Sequence, residues 1–316
     1  MGMEMRPCVK CKGEAVYFCS HSGQAFCRKC FINSVERRVK NTITRYNLLN
    51  PDDHVVVAVS GGKDSLVLLH ILSRIERRFP KVKMKAITID EGVKGYRERG
   101  IHLARMYAAK YGVPHYIASF KEVYGYTLDE LVRKSESIGS GLNACTWCGI
   151  LRRRLLNLKA RELGATKVAV GHHLDDEAQT ILMNMLRGSF VKLANLGPKP
   201  VKDAEGFIPR IKPLRYIPES EVALYAYFKG FDFYEVECRY VRTSLRDEVR
   251  NILNMLERKH VGTKFAIVRS ADAIAPLLLH EYLKRIKFNQ CRKCGEPTTR
   301  EICRACEILE KLGIGA

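Results

Sequence analysis

Twelve cysteines in a chain of 316 residues supply most of its chemical potential, and ten of them stand in Cys-x-x-Cys pairs. Cys8, Cys11, Cys27 and Cys30 form one set near the amino end, and Cys291, Cys294, Cys303 and Cys306 form another near the carboxyl end. Four thiolates at such paired spacing suit a tetrahedral zinc ion that closes a small ribbon. Metal binding of this kind stabilises a finger-sized unit by roughly 10–16 kcal/mol, more than so short a segment obtains from its own core. Both sets are expected to be structural zinc sites, two Zn²⁺ in all, with contact to an RNA backbone as a secondary use. Cys19 and His21 lie inside the first loop and are expected to be bystanders.

Cys145 and Cys148, in Ala-Cys-Thr-Trp-Cys-Gly, and the isolated Cys238 make an odd set of three. A closed zinc site takes four ligands and a disulfide takes two, so neither uses all three. An iron–sulfur cluster held by three cysteines would leave one iron open. A buried inert Cys238 beside a redox pair or an incomplete zinc site accounts for the same residues.

A second chemical signal is Ser60-Gly61-Gly62-Lys63-Asp64-Ser65, which follows an apolar run and precedes a helical one. Free backbone N–H groups at a helix start bind anions, and glycines allow close approach. Lys63 adds a cation, Ser65 a donor and Asp64 a carboxylate able to help hold Mg²⁺, which a plain Gly-Gly turn does not need. The lysine precedes Asp-Ser at a spacing unlike the G-x-x-x-x-G-K-[ST] loop. Two later pieces end strands: Asp90-Glu91-Gly92, and Gly171-His172-His173-Leu174-Asp175-Asp176. The two aspartates also suit the start of a helix as cap and first-turn acids. Arg152 opens the basic run Arg152–Arg154, which suits either a phosphate or a solvated RNA-facing helix.

These residues need a scaffold that gathers strand ends. His54–Val59 predicts a buried strand and Leu66, Leu69 and Leu72 a helix after the glycine loop. Lys85–Asp90, His115–Ala118 and Lys167–Val170 read as further strands. Arg97–Tyr111, Thr127–Arg133, Gly149–Leu163 and Asp175–Leu186 read as helices. Alternation at this rhythm implies an α/β fold, a parallel sheet with helices on both faces, with ligands at the carboxyl ends of its strands. Five prolines between Gly188 and Pro218 predict an irregular, mobile segment. Helices return at Glu219–Phe228, Ser244–Lys259 and Asp272–Lys287. The expected organisation is a ribbon over 1–34, a connecting helix over 35–50, a catalytic domain over 51–288 and a second ribbon over 289–316.

Lysine and arginine number 54 against 34 acids, a formal charge of +20, and 46% of residues are hydrophobic. That hydrophobic content excludes a disordered tail, and the charge points to a polyanionic partner without separating DNA from RNA. With no apolar leader and no long apolar run, a signal peptide and a membrane span are not expected, and the cytoplasm is the expected compartment. A reducing compartment agrees with metal-binding rather than paired cysteines.

The glycine loop resembles the PP-loop of the N-type ATP pyrophosphatases, which implies cleavage of ATP to AMP and pyrophosphate. DEGVKGYR, CTWCGILRRR, GHHLDDEAQTILMNMLRG and the lone Cys238 together resemble the tRNA 2-thiouridine synthetases, in particular the cytosolic and archaeal tRNA 2-thiolation family. The likeness runs over nearly the whole chain, both end clusters included. Some relatives carry histidine where this chain has Cys30, a difference that leaves zinc binding intact.

The resemblance implies that Cys145, Cys148 and Cys238 hold a [4Fe-4S] cluster, an older view of the family being persulfide and disulfide chemistry. It implies catalytic roles for Lys63, Asp64 and Asp176 beside the three cysteines. ATP contacts are implied at Ser60, Gly61, Gly62, Lys63, Asp64, Ser65, Asp90, Gly171, Asp176 and Arg152. The resemblance further implies that ATP adenylates the C2 oxygen of a tRNA uridine and that sulfur held at the open iron displaces AMP. The sulfur is expected from a ubiquitin-like carrier thiocarboxylate or from sulfide. A homodimer or a second subunit is expected by analogy. DEGVKGYR and the stretch from Tyr234 to Glu257 look more like the group acting on wobble U34 than the group acting on the T-loop uridine U54. Two rivals remain: another PP-loop ligase, which needs no central thiols, and a non-catalytic zinc-ribbon RNA-binding protein, which needs no glycine loop.

Overall fold

His54–Ala58 is a run of β-branched residues whose three central valines are all buried, so this strand must be covered on both faces. In the computed structural model, which describes residues 6–76, 82–139, 144–197, 206–241, 245–283 and 288–314, that covering is complete. The chain opens with β1 (Tyr17–Cys19), β2 (Gln24–Phe26) and α1 (Arg28–Arg45). The valine strand is β3, followed by α2 (Lys63–Glu76), β4 (Lys83–Asp90), α3 (Glu98–Tyr111) and β5 (His115–Ser119). Next come α4 (Phe120–Tyr124), α5 (Leu128–Ser137), α6 (Ala144–Glu162), β6 (Lys167–Ala169), α7 (Leu174–Leu186), α8 (Phe190–Ala194) and β7 (Arg210–Ile211). The last elements are α9 (Glu219–Lys229), α10 (Leu245–Lys259), α11 (Thr263–Leu283), β8 (Asn289–Gln290), β9 (Pro297–Thr298) and α12 (Arg304–Lys311).

The central sheet has the order β5-β4-β3-β6-β7 and is parallel throughout, with Val57 beside Ala86 on one side and Ala169 on the other. The chain leaves β3 for β4 on one flank and returns to β6 on the other. Ligands collect at such a switch point, and here it is occupied by the loop after β3.

Alternation along β3 divides the core. Val55 and Val57 pack with Leu66 and Leu69 of α2, Phe31 and Val35 of α1 and Tyr225 of α9. Val56 faces the other way, with Trp147 and Leu151 of α6 and Leu309 of α12. The amino-terminal ribbon is thus built into one face of the sheet and the carboxyl-terminal ribbon into the other. A third cluster joins α7, α10 and α11 through Ile181, Leu253 and Val268. Among the described residues no helix is long and apolar enough to cross a membrane.

Several bounds differ from the sequence reading. α6 begins at Ala144 rather than Gly149, because buried Trp147 and Leu151 are one turn apart and anchor that end; Cys145 and Cys148 therefore lie on its first two turns. α11 begins nine residues before the expected Asp272, since Val268 and Ala271 bury against α7 and α8. Its expected end, Lys284–Lys287, lies outside the described residues, as do Ser244, Pro198 and Pro200. The stretch 188–218 holds α8 and the edge strand β7, so it is not wholly irregular. One helix, α1, crosses from residue 34 to 35 without a break.

Candidate active site

Gly61 has φ +85°, and a Cβ there would run into the carbonyl of Gly100, so only glycine lets the loop lie this close to α3. The loop is closed by its own hydroxyls. Ser60 N–H donates to Ser65 Oγ at 3.1 Å, and Ser65 Oγ donates to the Gly62 carbonyl at 2.9 Å. That leaves the first turn of α2 facing the strand ends as an anion site. Gly171, after β6, packs against Asp64: a Cβ would stand 3.0 Å from its carbonyl carbon.

Lys63 is buried among carboxylates. Its Nζ lies 2.6 Å from Glu235, 3.2 Å from Glu219 and 3.6 Å from Asp64. Burial opposes its charge, but Asp64, Glu235 and Glu219 outweigh it and hold the lysine above its ordinary range. Asp64 is also shifted upward, which for a carboxyl disfavours the charged form: burial, with Asp176 and Glu219 nearby, raises it against the pull of His173 and Lys63. Its buried Oδ1 has no hydrogen-bond donor. His173 stands between the acids, Nε2 3.4 Å from Asp176 and 4.0 Å from Asp64. An orphaned carboxylate oxygen near a second acid fits a hard divalent cation. Asp175 serves the fold instead, bound to Lys264 and accepting the Glu219 N–H at 2.7 Å. Asp90 Oδ1 accepts from Gly92 N–H at 2.8 Å, closing the turn after β4.

Buried Glu91 accepts two hydrogen bonds from Arg97, each 2.9 Å, and a third from Arg152 at 3.3 Å. Burial alone would raise this carboxyl; the two guanidinium groups hold it below its usual range. Arg152 is thereby aimed from α6 toward the end of β4.

Burial, reinforced by Glu91, pushes Cys148 up to about 12, with Cys238 and Cys145 adding to the shift and Arg152 opposing it. A bare thiolate is disfavoured there, and a coordinated cation would offset that penalty. Cys145 Sγ donates to the Tyr240 carbonyl at 3.1 Å, which joins α6 to the segment bearing Cys238. That segment is held by Asp129, which accepts from Tyr240 at 2.7 Å and from Arg239. It is also tied to the glycine loop, since Tyr234 N–H donates to the Gly61 carbonyl at 3.0 Å. Cys238 and Cys145 both act electrostatically on Cys148, yet the three thiols are not among the groups whose ligand atoms all lie within 4.8 Å of one another. One ion needs tighter convergence; a cluster, whose cysteines bind separate irons, needs sulfurs spread apart.

The end sets do converge. Cys8, Cys11, Cys27 and Cys30 form one four-thiol group, and Cys291, Cys294, Cys303 and Cys306 another. Cys11 and Cys27 sulfurs are 3.6 Å apart, and Cys294 and Cys303 sulfurs 3.7 Å. Zinc–sulfur bonds of about 2.3 Å give a tetrahedral edge of about 3.8 Å, so the donor sets fit zinc. The two ribbons share a plan in which Cys27 and Cys303 cap α1 and α12. Cys19 and His21 lie outside these groups and form a third with Glu221, which is already engaged by Arg38 and Tyr17.

A family described as a PP-loop domain matches residues 32–255. The tRNA 2-thiolation protein NcsA of Haloferax volcanii is 37% identical, over 96% of this chain and 98% of its own. The chain belongs to the PP-loop tRNA 2-thiolation family. Cytoplasmic tRNA 2-thiolation protein 1 of Bos taurus is 36% identical over 98% of this chain and 88% of its own. A solved structure, the U34-tRNA thiolase NcsA from Methanococcus maripaludis with its [4Fe-4S] cluster, superposes with a TM-score of 0.84 at 36% identity, covering 99% of this chain and 98% of that one. Membership in this 2-thiolation family agrees with the expected PP-loop fold flanked by two four-cysteine ribbons.

Glu219, Glu235, Glu91, Arg97 and His173 were not singled out in the sequence. Their signal was faint: Glu235 stands three residues before Cys238, and Glu91 and His173 lie inside motifs chosen for their neighbours.

Proposed function

We propose that the protein carries out ATP-dependent 2-thiolation of a tRNA uridine, the wobble base U34. The observation that carries this reading is one shared edge. The anion loop Ser60–Ser65 is bonded through Tyr234 to the segment of Cys238, which in turn meets Cys145 across its hydrogen bond to Tyr240. The names of the related proteins support the substrate and the position.

In this reading the loop N–H groups and Lys63 receive the phosphates of ATP, Lys63 exchanging its carboxylate partners for phosphate oxygens. Asp64, through the Oδ1 that accepts no hydrogen bond, and Asp176 hold Mg²⁺; Asp90 and Gly171 border the adenosine, and Arg152 faces the reacting phosphate. The uridine C2 oxygen attacks the α-phosphorus, the P–O bond to the β-phosphate breaks, and pyrophosphate leaves on the loop. A sulfur nucleophile, either sulfide or the thiocarboxylate of a ubiquitin-like carrier, then bonds to C2 while AMP departs with the C–O electron pair; on the carrier route water then cleaves the acyl C–S bond, leaving the carrier as its carboxylate. A [4Fe-4S] cluster on Cys145, Cys148 and Cys238 supplies, when bound, an iron open to a sulfur atom. Two zinc ions hold the ribbons, and the cytoplasm is the site of action, in a homodimer or with a second subunit.

Thionucleoside mapping in a strain lacking the gene tests this. The expected result is loss of 2-thiouridine at U34 of the lysine, glutamate and glutamine tRNAs. Loss confined to U54 would move the reaction to the T-loop. Binding of tRNA without tRNA-dependent pyrophosphate release would leave an RNA-binding protein instead.

A further inference from the structure

Between α6 and the carboxyl-terminal ribbon runs a groove of about 530 Å³, lined by Arg153, Arg210, Phe207, Phe288 and the ribbon residues Thr298 and Arg300 among others. No residue of the glycine loop lines it.

Three of its cations, Arg153, Arg154 and Arg210, differ from their neighbours. Arg152 has Glu91, Arg161 has Glu296, and Arg300 and Arg304 share Glu307. Arg153, Arg154 and Arg210 have no carboxylate partner among the described residues, Arg154 lying instead over the Tyr124 ring. Arg210 instead donates to the backbone carbonyl of Arg153 at 3.1 Å, which draws the two residues together. Burial and the charges of Arg153 and Arg152 bring Arg210 down to about 10. The acid bordering this groove, Glu296, is already engaged by Arg161 at 2.5 Å and Asn157 at 2.9 Å. Cations gathered without acids oppose folding, and an incoming oxyanion removes that opposition.

Phosphate from ATP or from an RNA backbone would answer the arginines equally. The rings decide between them: Phe207 and Phe288 are 45% and 39% exposed on the same groove. Single-stranded nucleic acid uses both features, phosphates on guanidinium groups and bases on aromatic faces. We propose that this groove binds a single-stranded stretch of the tRNA, with Arg153 and Arg210 on a backbone phosphate and Phe207 and Phe288 as stacking surfaces. The proposal rests on the tRNA reading and adds a path for the RNA. Helix α6 carries both Cys148 and Arg153, so a strand held by the arginine is anchored on the helix that presents the thiol.

The test is tRNA affinity over a salt series, with ATP affinity and melting temperature, for the full chain and for Arg153→Gln, Arg210→Gln, the double variant, Phe207→Ala and Phe288→Ala. Each arginine change should weaken tRNA binding about five- to twentyfold and flatten the slope of log K against log salt by about one. ATP affinity should be unchanged, and melting should stay level or rise as like charges are removed. Each phenylalanine change should weaken tRNA binding about tenfold without altering the salt slope. Wild-type tRNA affinity and slope in the double variant would overturn the proposal. Loss of ATP affinity with tRNA binding intact would assign the arginines to the nucleotide and overturn it too. A wild-type chain that binds no tRNA would instead remove the reading beneath it.

Discussion

Lys63 Nζ is 2.6 Å from Glu235 Oε1, so the lysine of the glycine loop is held by the segment that carries Cys238 three residues later. The same segment is bonded to Gly61 through the Tyr234 N–H. In the proposed reading, phosphates arriving at the loop compete with Glu235 and Glu219 for this cation.

Glu235→Gln should therefore tighten ATP binding about two- to fivefold, the scale of a partly exposed ion pair removed from competition. Lys63→Ala should weaken it more than tenfold, since a charged hydrogen bond contributes about 1.5–3 kcal/mol. Calorimetric titration gives both constants. An unchanged constant in Glu235→Gln would mean that Lys63 does not leave its acids.

Glu91 predicts a pH dependence. Its carboxyl is buried and held below its unfolded value by Arg97 and Arg152 against burial. A depressed acid contributes stability that is present above the unfolded pKa, about 4.3, and is lost as pH falls through the folded value. Glu91→Gln leaves Arg97 buried with a weaker acceptor, which should cost about 3–5 kcal/mol at neutral pH. Denaturant unfolding at stepped pH should show the gap between wild type and variant narrowing only below about pH 4.3. A gap that stays constant into acid would assign the loss to packing.

How much of this was legible beforehand follows from the range of each signal. The β3 valines, the glycine loop and the paired cysteines are local patterns, and the parallel sheet and two four-thiol groups follow from them. The α6 boundary was missed because Cys145, Thr146 and Gly149 are weak helix formers, while the burial of Trp147 that fixes the turn is tertiary. The Lys63 acids were invisible for the same reason: Glu219 and Glu235 meet it across more than 150 residues.

Asp129 predicts a positioning effect on Cys238. It accepts from Tyr240 Oη at 2.7 Å, from Arg239, and from the Lys94 N–H at 3.1 Å. Its carboxyl stays low despite burial because Arg239 and these donors favour the ionised form. Asp129→Ala should cost about 1.5–3 kcal/mol of stability and raise the alkylation rate of metal-free Cys238 severalfold, while Asp129→Glu restores part of both. Mass spectrometry of iodoacetamide-treated protein reads the rate. Equal rates in wild type and Asp129→Ala would separate this carboxylate from the cysteine.

The metal content of protein prepared without oxygen tests the division of the cysteines. Two converged four-thiol groups and one spread group of three should give about two zincs and about four irons with matching acid-labile sulfide. Cys238→Ser should lose iron and keep both zincs, because its sulfur belongs to neither tight group. Cys306→Ser should lose one zinc and much of the stability of the face it packs, since Cys303 and Cys306 share a core with Leu151 and Trp147. Cys8→Ser should lose the other zinc and leave that face intact. About two zincs and no iron, even after reconstitution, would remove the cluster and return Cys145, Cys148 and Cys238 to persulfide or disulfide chemistry.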